Sequence, residues 1–154
     1  SETKENQICL RLYSVKADGT KFIAEKSGLN QWNAAGRKRD PNEVYIPYPA
    51  KDREKTKGFF PDRLTVFNLR LPDGKVMQAK ICQQDNKAIM SNPNKELGKW
   101  LLRNVFELPE GTLVTYEMLE RFGIDSVIFT KHGELEYSVD FAEIGTYERF
   151  HEVE

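Results

Sequence analysis

Two alternating stretches joined by a tight turn constrain the fold of this chain more than any other feature. In residues 64–71 (LTVFNLRL) apolar and polar residues alternate, Pro72-Asp73-Gly74 carries turn chemistry, and alternation resumes through residues 75–82 (KVMQAKIC). A period of two sends one face of each stretch into a core, so the pair reads as an antiparallel hairpin. Residues 8–13 (ICLRLY) and 21–24 (KFIA) around Ala17-Asp18-Gly19-Thr20 read as an earlier hairpin. Residues 127–129 and 135–141 around Lys131-His132-Gly133-Glu134 read as a last one, and 44–46 and 88–90 as brief strands.

Helical signals are fewer. Asn92-Pro93-Asn94 offers capping side chains for a helix from Lys95 to about residue 102, in which Leu97, Trp100 and Leu101 recur at helical spacing. Trp100 there reads as core rather than ligand platform. Thr115 can cap a second helix over residues 116–122, closed by Gly123. Residues 47–59 read as a Lys-rich surface connection whose end Phe59-Phe60-Pro61 anchors in the core. The expected fold is mainly β with two short helices, and strands joined by long connections favour a barrel or a partly closed sheet.

At 154 residues the chain fits one domain with a core that needs no metal or disulfide, supplied by 9 Phe, 6 Tyr and 2 Trp. Residues 1–7 read as a linker or frayed start, residues 8–154 as a single domain, and a start without Met reads as a piece of something larger. Cys9 and Cys82 sit singly in apolar runs and read as reduced core thiols. No apolar run is long enough to span a bilayer and no signal-peptide pattern opens the chain, so a soluble, intracellular protein is expected.

Two stretches break the alternation. Residues 26–49 (KSGLNQWNAAGRKRDPNEVYIPYP) and 80–99 (KICQQDNKAIMSNPNKELGK) string amides, cations and small residues together, and long loops of this kind inside a domain are usually functional or disordered. A solvated linker carries Arg-Lys-Arg triplets too; the second stretch of similar character favours a pair of arms closing on one ligand. The formal net charge of −1 divides unevenly: residues 26–57 and 75–103 each carry +4, and residues 104–154 carry −9. Basic arms and an acidic last third are the asymmetry expected when one face meets a polyanion.

Catalytic chemistry finds little support. His132 and His151 stand outside any metal-ligand spacing, and no glycine-rich phosphate loop or GxSxG is present. Reading a duplex needs groups that donate and accept in pairs, Arg or Lys onto guanine, Asn or Gln onto adenine, Asp or Glu onto the cytosine amino group. The first arm offers Asn30, Gln31, Asn33, Arg37, Lys38 and Arg39. The second offers Gln83, Gln84, Asp85, Asn86, Lys87, Ser91, Asn92, Asn94 and Lys95. Trp32 can stack on a base, wedge a loop or anchor the arm in the core, the last being the commoner role.

The runs SGLNQWNAAGRKRDPNEVYIPYP, FFP, LRLPDGKVMQAKICQQDNKAIMSNPNKELGKWLLR and GTLVTYEMLERFGIDSV resemble the C-terminal DNA-recognition domain of restriction endonucleases of the NgoFVII type, whose nuclease belongs to the phospholipase D family. The resemblance covers residues 27–141 and implies a DNA-binding pseudobarrel, a seven-stranded open barrel like the plant B-three domain. It implies an N-terminal arm over residues 28–39 and a C-terminal arm over 83–95, both in the major groove of a short specific site. Arg37, Arg39 and Lys87 are then expected on guanine or adjacent phosphates, Asp85 on a cytosine amino group, and Asn30, Gln31, Asn33, Asn86 and Asn92 on base edges, which favours a G/C-rich site. The family's catalytic HxK motif is absent, so the chain reads as the recognition module of a metal-independent type II restriction endonuclease of the prokaryotic cytoplasm, with the parent's nuclease domain as partner and no cofactor. A single-strand or RNA binder with exposed aromatics, and an interaction domain docking a nuclease through the acidic face, remain the alternatives.

Overall fold

The computed structural model describes residues 6–151, the side chain of Asp85 excepted. The strands are β1 (Gln7–Arg11), β2 (Ser14–Val15), β3 (Lys21–Phe22), β4 (Ile46–Pro47), β5 (Phe67–Arg70), β6 (Val76–Cys82), β7 (Ala88–Ser91), β8 (Ile124–Gly133) and β9 (Glu136–Glu143). Four α-helical segments accompany them: α1 (Ala50–Lys55), α2 (Glu96–Gly98), α3 (Tyr116–Phe122) and α4 (Thr146–His151). Seven strands form one sheet in the order β1-β8-β9-β5-β6-β7-β4, and its two ends, β1 and β4, come into contact, so the sheet is nearly closed as a barrel.

The hairpin expected around Pro72-Asp73-Gly74 forms as β5–β6, with Asn68 opposite Gln78 and Leu69 opposite Met77. Phe67 and Leu69 on one strand and Met77, Ala79 and Ile81 on the other are buried, which is the face a period of two assigns to the core. β8 and β9 form the last hairpin, and β9 lies parallel to β5. Phe59, Phe60, Phe67, Phe129 and Tyr137 gather inside, their ring centroids 4.8–5.6 Å apart. The Phe59-Phe60 pair thus ties the end of a long connection into the barrel.

The first expected hairpin is corrected. β1 pairs along its whole length with β8, Cys9 opposite Ile128, and the turn at residues 17–20 closes only the two-residue ribbon β2–β3. Ile8, Cys9, Leu10, Leu12 and Tyr13 are all buried, a demand that a short edge ribbon cannot meet and the ten-residue β8 can. Of the start expected to fray, residues 1–5 lie outside the described residues, and Gln7 already opens β1.

Two helices were not legible. α1 forms in the connection expected to be loop, and it is fastened by the buried Asp52, whose Oδ1 accepts from the Tyr147 hydroxyl of α4 at 2.9 Å. α3 has the expected cap, with Thr115 accepting from the Met118 amide and Gly123 at φ 87° closing the end. α2 begins close to the expected position, but neither Asn92 nor Asn94 caps it, and it continues as a wider π-helical winding, Lys99–Val105, in which Trp100, Leu101 and Leu102 are buried in succession.

Candidate nucleic-acid interface

The two arms start from one corner of the sheet. β4 ends the first arm and pairs with β7, Pro47 opposite Ala88, and the Tyr48 amide donates to the Lys87 carbonyl at 2.9 Å. Gly28, where the first arm leaves, accepts from the Tyr45 amide, and Pro47 packs over it. Pro47 can occupy β4 because that strand is the sheet edge, where a missing N–H interrupts no second ladder.

The N-terminal arm, residues 28–39, is braced from within. Its first half is a 3-10 turn, Gly28–Asn33. Asn30 is fully buried: Nδ2 donates to the carbonyls of Ala24 and Val114, and Oδ1 accepts from the Val114 amide, each at 2.9 Å. Asn30 therefore locks the arm to the core and is withdrawn from the base-reading set, a correction to the sequence reading. Gln31 and Trp32 are half-buried, Trp32 against the core, while Asn33 is exposed with Nδ2 on the Glu25 carbonyl at 3.0 Å.

Arginines shape the tip. Arg39 Nη1 gathers the carbonyls of Ala34, Ala35 and Arg37 at 2.7, 2.9 and 3.3 Å, a staple that fixes the bend. Arg37 forks onto Glu43, Nη1 to Oε1 at 3.2 Å and Nη2 to Oε2 at 2.8 Å. That bond holds the Glu43 carboxyl below its usual range despite burial. Lys38 is exposed with no side-chain partner among the described residues.

The return of this arm is fixed as firmly. A Cβ on Gly98 would stand 2.0 Å from the Asn42 carbonyl oxygen, so only glycine lets the chain cross α2 there. Asn42 is buried, accepts from Arg103 Nε at 2.8 Å and donates to Asp40 and Glu110. Arg103 also holds the carbonyls of Pro41, Leu108 and Pro109, each at 2.9 Å.

The C-terminal arm, residues 83–95, is built differently. Gln83 turns it out of β6 at φ 68° and ψ 167°, a region that glycine alone adopts easily, and Asn86 at φ 57° turns it back toward β7. The Gln83 carbonyl accepts from Arg63 Nε at 3.2 Å and from the Asn86 amide at 3.1 Å, which secures the strained turn. Gln84, Asn86, Lys87 and Asn92 are exposed with no side-chain partner among the described residues, and Lys95 is exposed too. Asn94 is half-buried. The side chain of Asp85 lies outside what is described. Ser91 is the exception: it is buried, and its Oγ accepts from the Leu97 amide at 2.8 Å to start α2, so it caps a helix instead of facing a ligand.

Beside this arm an open groove of about 440 Å³ runs between α1 and the turn, lined among others by Arg53, Lys57, Phe60, Arg63 and Asn86. Sequence reading missed Arg63, Glu43, Gly98 and Arg103. A glycine inside a helical pattern was the only local signal among them. The histidines serve the framework, His132 Nε2 beside Ser138 Oγ at 2.8 Å and His151 against the Tyr147 ring. Both cysteines are free and buried, and burial pushes the Cys9 thiol up to about 12. Among the described residues no group of three or more His, Cys, Asp or Glu could hold a metal ion, and no helix is long and apolar enough to cross a membrane.

Comparison with known proteins fits this arrangement. The family model for the NgoFVII C-terminal B3-like DNA-binding domain matches residues 4–133, a span that contains both arms and β1 through β8. Comparison with curated proteins returned no match.

Proposed function

From the premise that the chain belongs to the NgoFVII C-terminal B3-like DNA-binding domain family, we propose that it recognises a short specific site in duplex DNA with both arms in the major groove. The domain binds DNA; the reading concerns how. The observation that carries it is the joint origin of the two arms at the β4–β7 corner, one arm stiffened and the other lined with unpartnered amides and lysine. Asn86 and Asn92 supply paired donors and acceptors of the kind that base edges require, Lys87 donors alone, and Arg37 a guanidinium fork. Lys38 and Lys95 are assigned to phosphates, Asp85 to a cytosine amino group, and Gln31, Asn33, Arg39, Gln83 and Asn94 to the margins of the interface. Trp32 supports the arm from beneath. Asn30 and Ser91 leave the set because their polar atoms are spent inside the fold.

A G/C-rich site follows from the weight of Arg, Lys and Asp in this set. The domain is the recognition module of a restriction endonuclease whose nuclease domain does the cutting, in a prokaryotic cytoplasm. Selection of bound duplexes from a randomised pool tests the reading. One short consensus is expected, and selection without a consensus, or preference for single strands in competition, would overturn it.

A further inference from the structure

We infer that Glu43 is a positioning residue for base recognition: it grips one edge of the Arg37 guanidinium from a buried seat and leaves the other edge as a paired donor for guanine. The inference rests on the reading of the domain as a sequence-specific duplex binder.

Glu43 and Arg37 are unequal partners. The Glu43 side chain is 8% exposed and that of Arg37 59%, so the carboxylate forms the fixed base and the guanidinium the reaching tip. Glu43 is seated by its neighbours, Asn42 and Val44 being buried, its amide donating to the Asp40 carbonyl at 3.0 Å and its Oε1 accepting from the Asp40 amide at 3.3 Å. A guanidinium has five N–H groups in one plane. Three are used here, two by Glu43 and one by the Lys38 carbonyl, which accepts from Nη1 at 3.3 Å. The remaining two, on Nε and Nη2, point the same way along the opposite edge and have no partner among the described residues.

Two parallel donors match the O6 and N7 acceptors of guanine in the major groove. A phosphate would also accept from that edge, but the Glu43 charge already offsets the guanidinium and repels an anion. A neutral base edge meets no such repulsion and loses far less by that pairing. Held this way, Arg37 also gives up less side-chain freedom on binding than a lone arginine would.

Randomised-pool selection with wild type, Glu43→Gln, Arg37→Ala and the double variant tests it, with thermal melting of each as a check on folding. Arg37→Ala is expected to lose preference for guanine at one position by about 10- to 100-fold. Glu43→Gln is expected to relax that same position by about tenfold without weakening non-matching duplexes, and the double variant to relax it no further than Arg37→Ala. Relaxation at another position, uniform weakening of all sequences, or an unchanged consensus in Glu43→Gln would overturn the inference. Should Glu43→Gln unfold, Glu43→Asp keeps the charge and draws the carboxylate back from the Arg37 fork; an unchanged consensus there would overturn it equally. A wild type that selects no consensus sinks the parent reading, whereas a wild-type consensus that Glu43→Gln leaves intact sinks this inference alone.

Discussion

The two arms carry similar residues and use them in opposite ways. In the N-terminal arm and its return most polar side chains are bonded within the fold, Asn30 to Ala24 and Val114, Arg39 to three carbonyls, Arg37 to Glu43 and Asn42 to Arg103, while Lys38 is left open. In the C-terminal arm the backbone is held by Arg63 and the Asn86 amide, while the side chains of Gln84, Asn86, Lys87 and Asn92 are left open. An arm whose side chains are spent on its own shape is preorganised and presents few, well-fixed contacts. An arm with free side chains adapts to bases and orders them on binding. Amide-rich composition alone does not tell these roles apart.

The largest effects should come from breaking the stiff arm at its root. Gly98→Ala forces a Cβ into the Asn42 carbonyl and should cost about 3 kcal/mol of stability, read by denaturant unfolding. Asn30→Ala strands the buried Val114 amide and two carbonyls, again at about 3 kcal/mol. Both should weaken DNA binding through the fold. The open arm should respond the other way round. Asn92→Ala, at an exposed side chain with no partner among the described residues, is expected to leave stability within about 0.5 kcal/mol and to relax the selected site at one position. If Asn92→Ala lowers stability as far as Asn30→Ala does, the contrast between the arms is lost.

Gln83 sharpens the contrast further. Because its φ of 68° suits glycine, Gln83→Gly should raise stability by about 1 kcal/mol while leaving the arm less constrained, measurable as a higher unfolding midpoint with weaker duplex binding. The smallest effect is electrostatic. Glu43 has a folded pKa below its ordinary 4.5, chiefly through the bond from Arg37, so its contribution to stability is fully present above 4.5 and is lost as pH falls through the lowered value. In Arg37→Ala the titration of Glu43, followed by carboxyl carbon resonances, should move back up.

Residues 67–82 show what sequence pattern delivers: alternation on both sides of Pro72-Asp73-Gly74 encodes a hairpin, and it forms. Residues 8–13 show where it stops, since a strand buried on both faces chooses its partner by the area that partner can cover, and β8 lies more than a hundred residues away in the chain. α1 was invisible because its sequence, AKDREK, has no apolar stripe and its fastening comes from Tyr147 at the far end of the chain. At the interface, the arms were legible as departures from periodicity. The division of their side chains into braces and readers was not, because it depends on partners such as Val114, Glu43 and Leu97 that adjoin them only after folding.

The central claim, that both arms engage one double helix, is tested most directly by titrating the isotope-labelled domain with a duplex carrying its selected site and following backbone amide resonances. Concurrent shifts at residues 28–39 and 83–95, saturating at one duplex per domain and absent from α4, are expected. Shifts confined to one arm, or centred on the acidic C-terminal third, would contradict it.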